Sequence, residues 1–223
     1  MTGGGRGIGR CIAETLALQG ARVAVGDLEP PDVPGLTGVR MDVTDEGGVA
    51  EAVREVEHAL GPVEILVCNA GIYRTEPLAE TTLRSWEQSL AVNLTGVFLS
   101  ARQVVPGMAE RGYGRVVIMG SSAGKTGGAR DTLAYAAAKA GAMALAKGLA
   151  KEFAGAGVTV NALAPALVDT DMISEMRELV ERIPVGRLGT PQDVADLVAF
   201  LVSDHASFIT GEVVDINGGF LID

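Results

Sequence analysis

The stretch Thr2-Gly3-Gly4-Gly5-Arg6-Gly7-Ile8-Gly9 decides how this chain is read. Glycines at this density let backbone approach a ligand closely. A segment with helical spacing follows at once: in Arg10–Gly20, Ile12 and Leu16 share a face with Ala13 and Ala17, and Gly20 ends the run. A loop of this kind opening a helix places free amides and the positive end of the helix dipole where a pyrophosphate can sit. Next comes the apolar run ARVAVGD, closing on Asp27. An acid about twenty residues past such a loop is placed to accept hydrogen bonds from both hydroxyls of an adenosine ribose, and it repels a 2′-phosphate. Asp27 therefore argues for NAD(H). Arg6, inside the loop, argues the other way, because a base there can contact the 2′-phosphate of NADP(H).

Working outward, short β-branched runs alternate with longer helical ones. The strand-like runs are ARVAVGD, GVRMDV, VEILVCN, GRVVIMG, GVTVNALAP and EVVDING. Helical spacing is predicted over residues 45–61, 83–110, 134–154 and 191–202. The strands are continuously apolar, as in sheets buried on both faces. The expected fold is α/β: one Rossmann-type doubly wound parallel sheet, a single domain over residues 1–223, joined by right-handed crossovers.

Composition narrows the classes further. The chain has 223 residues, 48% hydrophobic but only 4% aromatic, so its core must be aliphatic. With 28 acids against 18 bases the net charge is −10, which supplies no basic face for nucleic acid or an anionic membrane. No apolar run reaches membrane-span length and no leader-like segment opens the chain, so a cytoplasmic protein is expected. Cys11 and Cys68 read as small core residues rather than a disulfide or metal site. His58 and His205 have no partners that suggest metal or triad chemistry.

Taken in order, TGGGRGIG, DVTD, NAG, VNLTGVF, GSSAG, YAAAK, NALAPALVDT and DINGG resemble the markers of the short-chain dehydrogenase/reductase family, in its compact single-domain branch. The resemblance spans Thr2 to Gly219. It implies a nicotinamide cofactor and hydride transfer between that cofactor and a secondary alcohol or ketone. It also exposes a gap. Members carry a central strand directly before the glycine loop, whereas only Met1 precedes Thr2 here. Loss of that strand would leave its neighbours with unpaired backbone and an open groove. The natural chain is therefore expected to start upstream; the alternative is a sheet that closes up or borrows a strand.

The chemistry is expected at Tyr135 and Lys139, four apart on one helix face. A phenol's pKa of about 10 is too high for a base at neutral pH. A nearby ammonium, with the positive charge of a bound nicotinamide, favours the phenolate and suits Tyr135 to general acid/base work. Taken alone, the pair reads more readily as a solvated i,i+4 couple on an Ala-rich helix. A serine should hydrogen-bond the substrate oxygen. Strand register selects Ser121, while counting back from Tyr135 selects Ser122; Ser121 is preferred because a strand aims a side chain more firmly than a loop. Asn93, a poor helix former inside a helical run, is the fourth member. The resemblance implies that it holds a water relaying protons to Lys139, and that Lys139 bonds the nicotinamide ribose.

By motif, the resemblance also assigns cofactor contacts to Gly3, Arg6, Gly7, Ile8 and Gly9, to Asp27, to Asp42 with Val43 at the adenine, and to Asn69, Ala70 and Gly71. Pro165, Val168 and Thr170 complete the set, with Tyr135 and Lys139; Ala166 stands where Gly is usual. No metal is expected. Residues 171–190 should form a lid over the active site. Trp86 is expected in core or at a subunit contact with Leu83 and Leu90, and Arg187 in a structural turn. An Ala/Gly-rich face (Ala136, Ala137, Ala140, Gly141, Ala144) and the family resemblance point to a homotetramer. The nearest resemblance is to 3-oxoacyl-carrier-protein reductases, which usually prefer NADP; a secondary-alcohol, polyol or sugar dehydrogenase using NAD fits Asp27 better. A catalytically idle nucleotide-binding scaffold is the reading from another class.

Overall fold

The computed structural model describes residues 1–170 and 180–222. Among them, β1 (Val23–Asp27), β2 (Leu36–Arg40), β3 (Ile65–Cys68), β4 (Gly114–Met119), β5 (Val158–Pro165) and β6 (Val213–Ile216) run parallel throughout. The helices are α1 (Gly7–Leu18), α2 (Glu46–Leu60), α3 (Leu83–Leu90), α4 (Gly96–Glu110), α5 (Ala123–Thr126), α6 (Leu133–Phe153) and α7 (Pro191–Leu201). This is the doubly wound α/β arrangement that the sequence predicts. β2 begins earlier than GVRMDV suggests, because Leu36 already pairs with Val23.

The central strands β4 and β5 are buried along their whole length because both faces are covered. Val117, Met119 and Leu163 pack with Ile12, Leu16, Val194 and Val198 of α1 and α7. Val116, Ile118 and Ala162 face Val104, Met108, Ala142 and Ala146 of α4 and α6. A third cluster joins Val39, Met41 and Val43 to Val49 and Ala52 of α2 and to Leu99. Small side chains on α6 let it lie close: a Cβ on Gly141 would come 2.9 Å from Leu94.

The sheet is in two parts, β1-β2 and β3-β4-β5-β6. What joins them is Met1–Gly3. The Thr2 amide donates to the Val67 carbonyl at 2.9 Å, Gly26 donates to the Met1 carbonyl, and Gly3 donates to the Gly26 carbonyl, both at 2.8 Å. The Met1 ammonium donates to the Ala24 carbonyl at 2.7 Å, and burial pushes its pKa down to about 6. Beyond this stub, a cavity of about 290 Å³ opens between β1 and β3, lined by Val23, Ala24, Ile65 and Val67 and by Leu16, Val53 and Val104 from the helices. The sheet does not close up: β1 and β3 do not pair, and the cavity lies between them beside Met1–Gly3.

Residues of a parallel strand turn their amide and carbonyl alternately to either side. Gly26 and Val67 bond the stub, so Ala24 and Ile65 point their amides into the cavity. Native-state hydrogen exchange should find these two amides exchanging orders of magnitude faster than those of Val25 and Leu66, which point at paired strands. Equal protection would show that the cavity is not a break in the ladder.

Candidate active site

The carboxyl ends of the strands carry the site. At the glycine loop, Gly3 has φ +67, and a Cβ there would lie 2.5 Å from the Ala70 backbone. A Cβ on Gly9 would overlap the Gly3 carbonyl and the Asn69 side chain. Asn69 Nδ2 donates to that carbonyl at 2.5 Å, and the amides of Asn69 and Ala70 donate to the buried Thr2 hydroxyl at 3.2 Å. The loop is thereby bonded to the end of β3. Arg6 caps α1 without a side-chain hydrogen bond, whereas Thr82 and Thr190 cap α3 and α7 with theirs. Nothing lies within 4 Å of a Cβ on Gly7. Uncapped helix amides beneath open space fit a dinucleotide pyrophosphate.

Asp27, at the end of β1, stands next to this loop. Its carboxylate accepts from the amide of Gly5 at 2.9 Å and from that of Glu29 at 3.3 Å. Asp42 lies exposed after β2 and accepts from the Thr44 amide and hydroxyl. Val43 and Val168 have buried side chains, so only their backbones can face a ligand. Ile8 likewise packs against the core. The Pro165 carbonyl accepts from the Ser122 amide at 2.9 Å, and Thr170 donates to the Val168 carbonyl at 3.4 Å. The lid expectation falls on residues 171–190, of which 171–179 lie outside the described residues.

The expected helix over residues 83–110 is interrupted. Residues Ala91–Thr95 form a π-turn between α3 and α4, with Asn93 fully buried in it. The wider turn turns this Asn inward; such turns recur at functional sites. Asn93 Oδ1 accepts from the Ile72 amide at 3.1 Å, and Nδ2 donates to the carbonyls of Ile72 and Ser89, both at 3.0 Å. A Cβ on Gly71 would come 2.9 Å from Asn93 Oδ1 and 3.5 Å from Lys139 Nζ, so Asn93 and Lys139 meet at Gly71.

Tyr135 and Lys139 project from α6. Lys139 is buried, and its ammonium donates to the Met119 carbonyl at 2.6 Å. It stands 5.8 Å from the centre of the Tyr135 ring. Desolvation pulls its pKa down to about 8. Burial likewise raises the Tyr135 phenol above its ordinary value; the Ser121 hydrogen bond draws it partly back and Tyr73 pushes it up. The net direction is upward, against ionisation of the phenol. Ser121, not Ser122, reaches that phenol, and its Oγ accepts from the Ala123 amide at 3.1 Å. Ser122 instead starts α5 and takes its place through backbone bonds. This short helix, which the sequence pattern does not announce, holds the serine turn in place. Gly124 lies so close to α6 that a Cβ would sit 2.7 Å from the Ala140 amide, and Lys125 pairs with Asp215 of β6.

The structure therefore brings Asn93, Ser121, Tyr135 and Lys139 to one end of the sheet, beside the glycine loop. It also adds Tyr73, whose ring meets that of Tyr135 edge to face at 5.0 Å. Nothing in the local sequence around Tyr73 marks this contact. Other readings move. Leu83 is 71% exposed at the start of α3, so of the two places expected for it, core and subunit contact, it does not take the core. Arg187 makes a two-pronged ion pair with Asp193, at 2.6 and 2.9 Å, fastening the turn before α7. Among the described residues no cluster could hold a metal and no helix is long and apolar enough to cross a membrane.

Residues 3–221 match a family model described as enoyl-(acyl carrier protein) reductase. The chain belongs to the short-chain dehydrogenase/reductase family, and it is an oxidoreductase acting between CH–OH and carbonyl groups with a nicotinamide cofactor. Among individual relatives, it is 41% identical over 224 residues to the 3-oxoacyl-(acyl-carrier-protein) reductase MabA of Mycobacterium tuberculosis, covering 98% of this chain and 90% of that one. It is 38% identical over 235 residues to the 3-oxoacyl-(acyl-carrier-protein) reductase FabG of Escherichia coli, covering 98% and 95%. To the acetoacetyl-CoA reductase of Rhizobium meliloti it is 40% identical over 232 residues, covering 98% and 96%.

The buried ammonium has a measurable cost. Because the folded pKa of Lys139 is about 8 against 10.5 ordinarily, the unfolded chain binds more protons between those values. Stability should therefore rise with pH across that window, and the full penalty should stand below it. Lys139→Met should remove up to about 3 kcal/mol of desolvation, less roughly 1 kcal/mol for the lost bond to Met119. Thermal melts should place this variant several degrees above the parent at pH 7, with the gap closing toward pH 10.

Proposed function

We propose that this protein reduces the ketone of a 3-oxoacyl thioester, with Tyr135 as proton donor and NADH as reductant. The observation that carries this reading is the placement of the Tyr135 phenol, whose ionisation burial disfavours, beside Ser121 and the buried Lys139. A protonated phenol suits an acid working on a carbonyl oxygen as negative charge develops there. Relatives named for 3-oxoacyl and acetoacetyl thioesters support the substrate class.

A bound nicotinamide supplies the hydride. The chain's residues do the rest. Uncapped amides at the start of α1 hold the pyrophosphate, and Asp27 bonds the adenosine ribose. Lys139 bonds the nicotinamide ribose and holds positive charge below the phenol. Ser121 fixes the carbonyl oxygen, and Tyr135 delivers its proton to it. Asn93 holds the Gly71–Ile72 backbone beside Lys139, where a water can carry the replacing proton. The assembly is a cytoplasmic homotetramer, in keeping with the exposed small face of α6 at Ala137 and Ala144.

A second reading, NADPH as reductant, is favoured by the exposed Arg6 at the start of α1. Asp27 outweighs it because its carboxylate is already fixed on the loop at Gly5, where a 2′-phosphate would meet it.

Steady-state reduction of acetoacetyl-CoA decides among these. NADH should give the higher kcat/KM, and Asp27→Ala should narrow the gap by about tenfold. A tenfold preference for NADPH in the parent would overturn the Asp27 argument. Tyr135→Phe should lower kcat by about a hundredfold or more while NADH still binds by fluorescence. Binding without turnover by the parent on any carbonyl would favour an idle scaffold.

A further inference from the structure

Tyr73 has no part in the scheme above, yet its placement is tightly determined. The residue before it, Ile72, has both its amide and its carbonyl bonded by the Asn93 side chain, at 3.1 and 3.0 Å. Asn93 is itself tied to the Ser89 carbonyl at 3.0 Å and fully buried. Three residues beyond Tyr73, the Glu76 amide donates to the Asp131 carbonyl at 2.7 Å. Asp131 adopts φ +66, a left-handed conformation that costs a non-glycine residue energy and persists where its surroundings enforce it. The segment carrying Tyr73 is thus bonded at one end to the π-turn and at the other to the approach to α6. Between these bonds the Tyr73 ring meets Tyr135 edge to face, with centres 5.0 Å apart and planes at 82°.

The geometry points to Tyr73 as a positioning residue for the Tyr135 phenol: it holds that ring against rotation and covers it from water. The inference rests on the catalytic role given above to Tyr135. It also gives Asn93 a second duty, since the amide that stands against Gly71 fixes the backbone from which Tyr73 projects. An edge-to-face pair in this range is a favoured aromatic geometry. The other groups facing Tyr135 are Ser121, Lys139 on its own helix, and Arg74, Glu76 and Asp131 around a small gap beside it. None of these is removed by changing Tyr73, so a shift in the phenol's titration reports on Tyr73 itself.

The chain has three tyrosines, which permits a direct measurement. In Tyr73→Phe/Tyr113→Phe and Tyr73→Ala/Tyr113→Phe, Tyr135 is the only phenol left. Ultraviolet titration of each, with circular dichroism confirming the fold, should show Tyr135 ionising at lower pH in the alanine variant than in the phenylalanine one. Tyr73→Leu/Tyr113→Phe, which keeps bulk without an aromatic edge, should fall between them and guards against collapse of the loop. In acetoacetyl-CoA reduction, Tyr73→Ala should lose roughly three- to tenfold in kcat per NADH-binding site. Its KM for NADH should be unchanged, and Tyr73→Phe should restore kcat. Equal midpoints together with unchanged kcat in the alanine and leucine variants would overturn the inference. Undiminished turnover by Tyr135→Phe would overturn the catalytic reading instead, whatever Tyr73 does.

Discussion

The hydrogen bonds made by Met1, Thr2 and Gly3 are the constraint on which the rest of this molecule depends. They are the only rungs between β1-β2 and the four strands from β3 to β6 among the described residues. They also set the glycine loop: the Thr2 hydroxyl takes the amides of Asn69 and Ala70, and the Gly3 carbonyl takes Asn69 Nδ2. Shifting Thr2 by one residue would move the start of α1, the end of β3 and the position of Asp27 together. Side-chain packing of α1 on α7 reinforces the joint from one face. It cannot replace the backbone bonds, because the cavity beyond the stub leaves the inner edges of β1 and β3 without a neighbour there.

At the other side of the site, the governing effect is desolvation. Lys139 and Tyr135 both lie in surroundings that disfavour charge, and each responds toward its neutral form. The ammonium keeps one strong partner, the Met119 carbonyl at the end of β4. The phenol keeps Ser121 and the aromatic edge of Tyr73. A cluster assembled this way costs stability and gains reactivity, since a bound cationic ring or a developing oxyanion alters its electrostatics more than it would in water.

Much of this was legible from residues alone, for physical reasons. Strands buried on both faces write themselves as unbroken apolar runs, and GRVVIM and VTVNALAP are buried along their whole length. The loop, helix and acid from Thr2 to Asp27 fall in a fixed spatial order once the crossover is right-handed. Features set by contact between distant segments were not legible. The π-turn leaves the apolar spacing of residues 83–110 nearly intact, so only Asn93, awkward in a helix, hinted at it. Four-residue α5 is too short to show a period, and its place depends on Gly124 nestling against α6. The choice between Ser121 and Ser122 turns on how the chain leaves β4 and enters α5, where the two ways of counting disagree by one residue. Tyr73 reaches Tyr135 from a loop more than sixty positions away, and no local pattern encodes that meeting.

The narrow joint at Thr2 has a consequence for how ligand and chain support each other. Asp27 ends β1 on one side of that joint, while Lys139 on α6 and Ser121 after β4 stand on the other. A molecule long enough to touch both acts as a strut across the seam. Its affinity then contains the work of holding the halves together, so a chain with a weaker seam leans harder on its guest for shape.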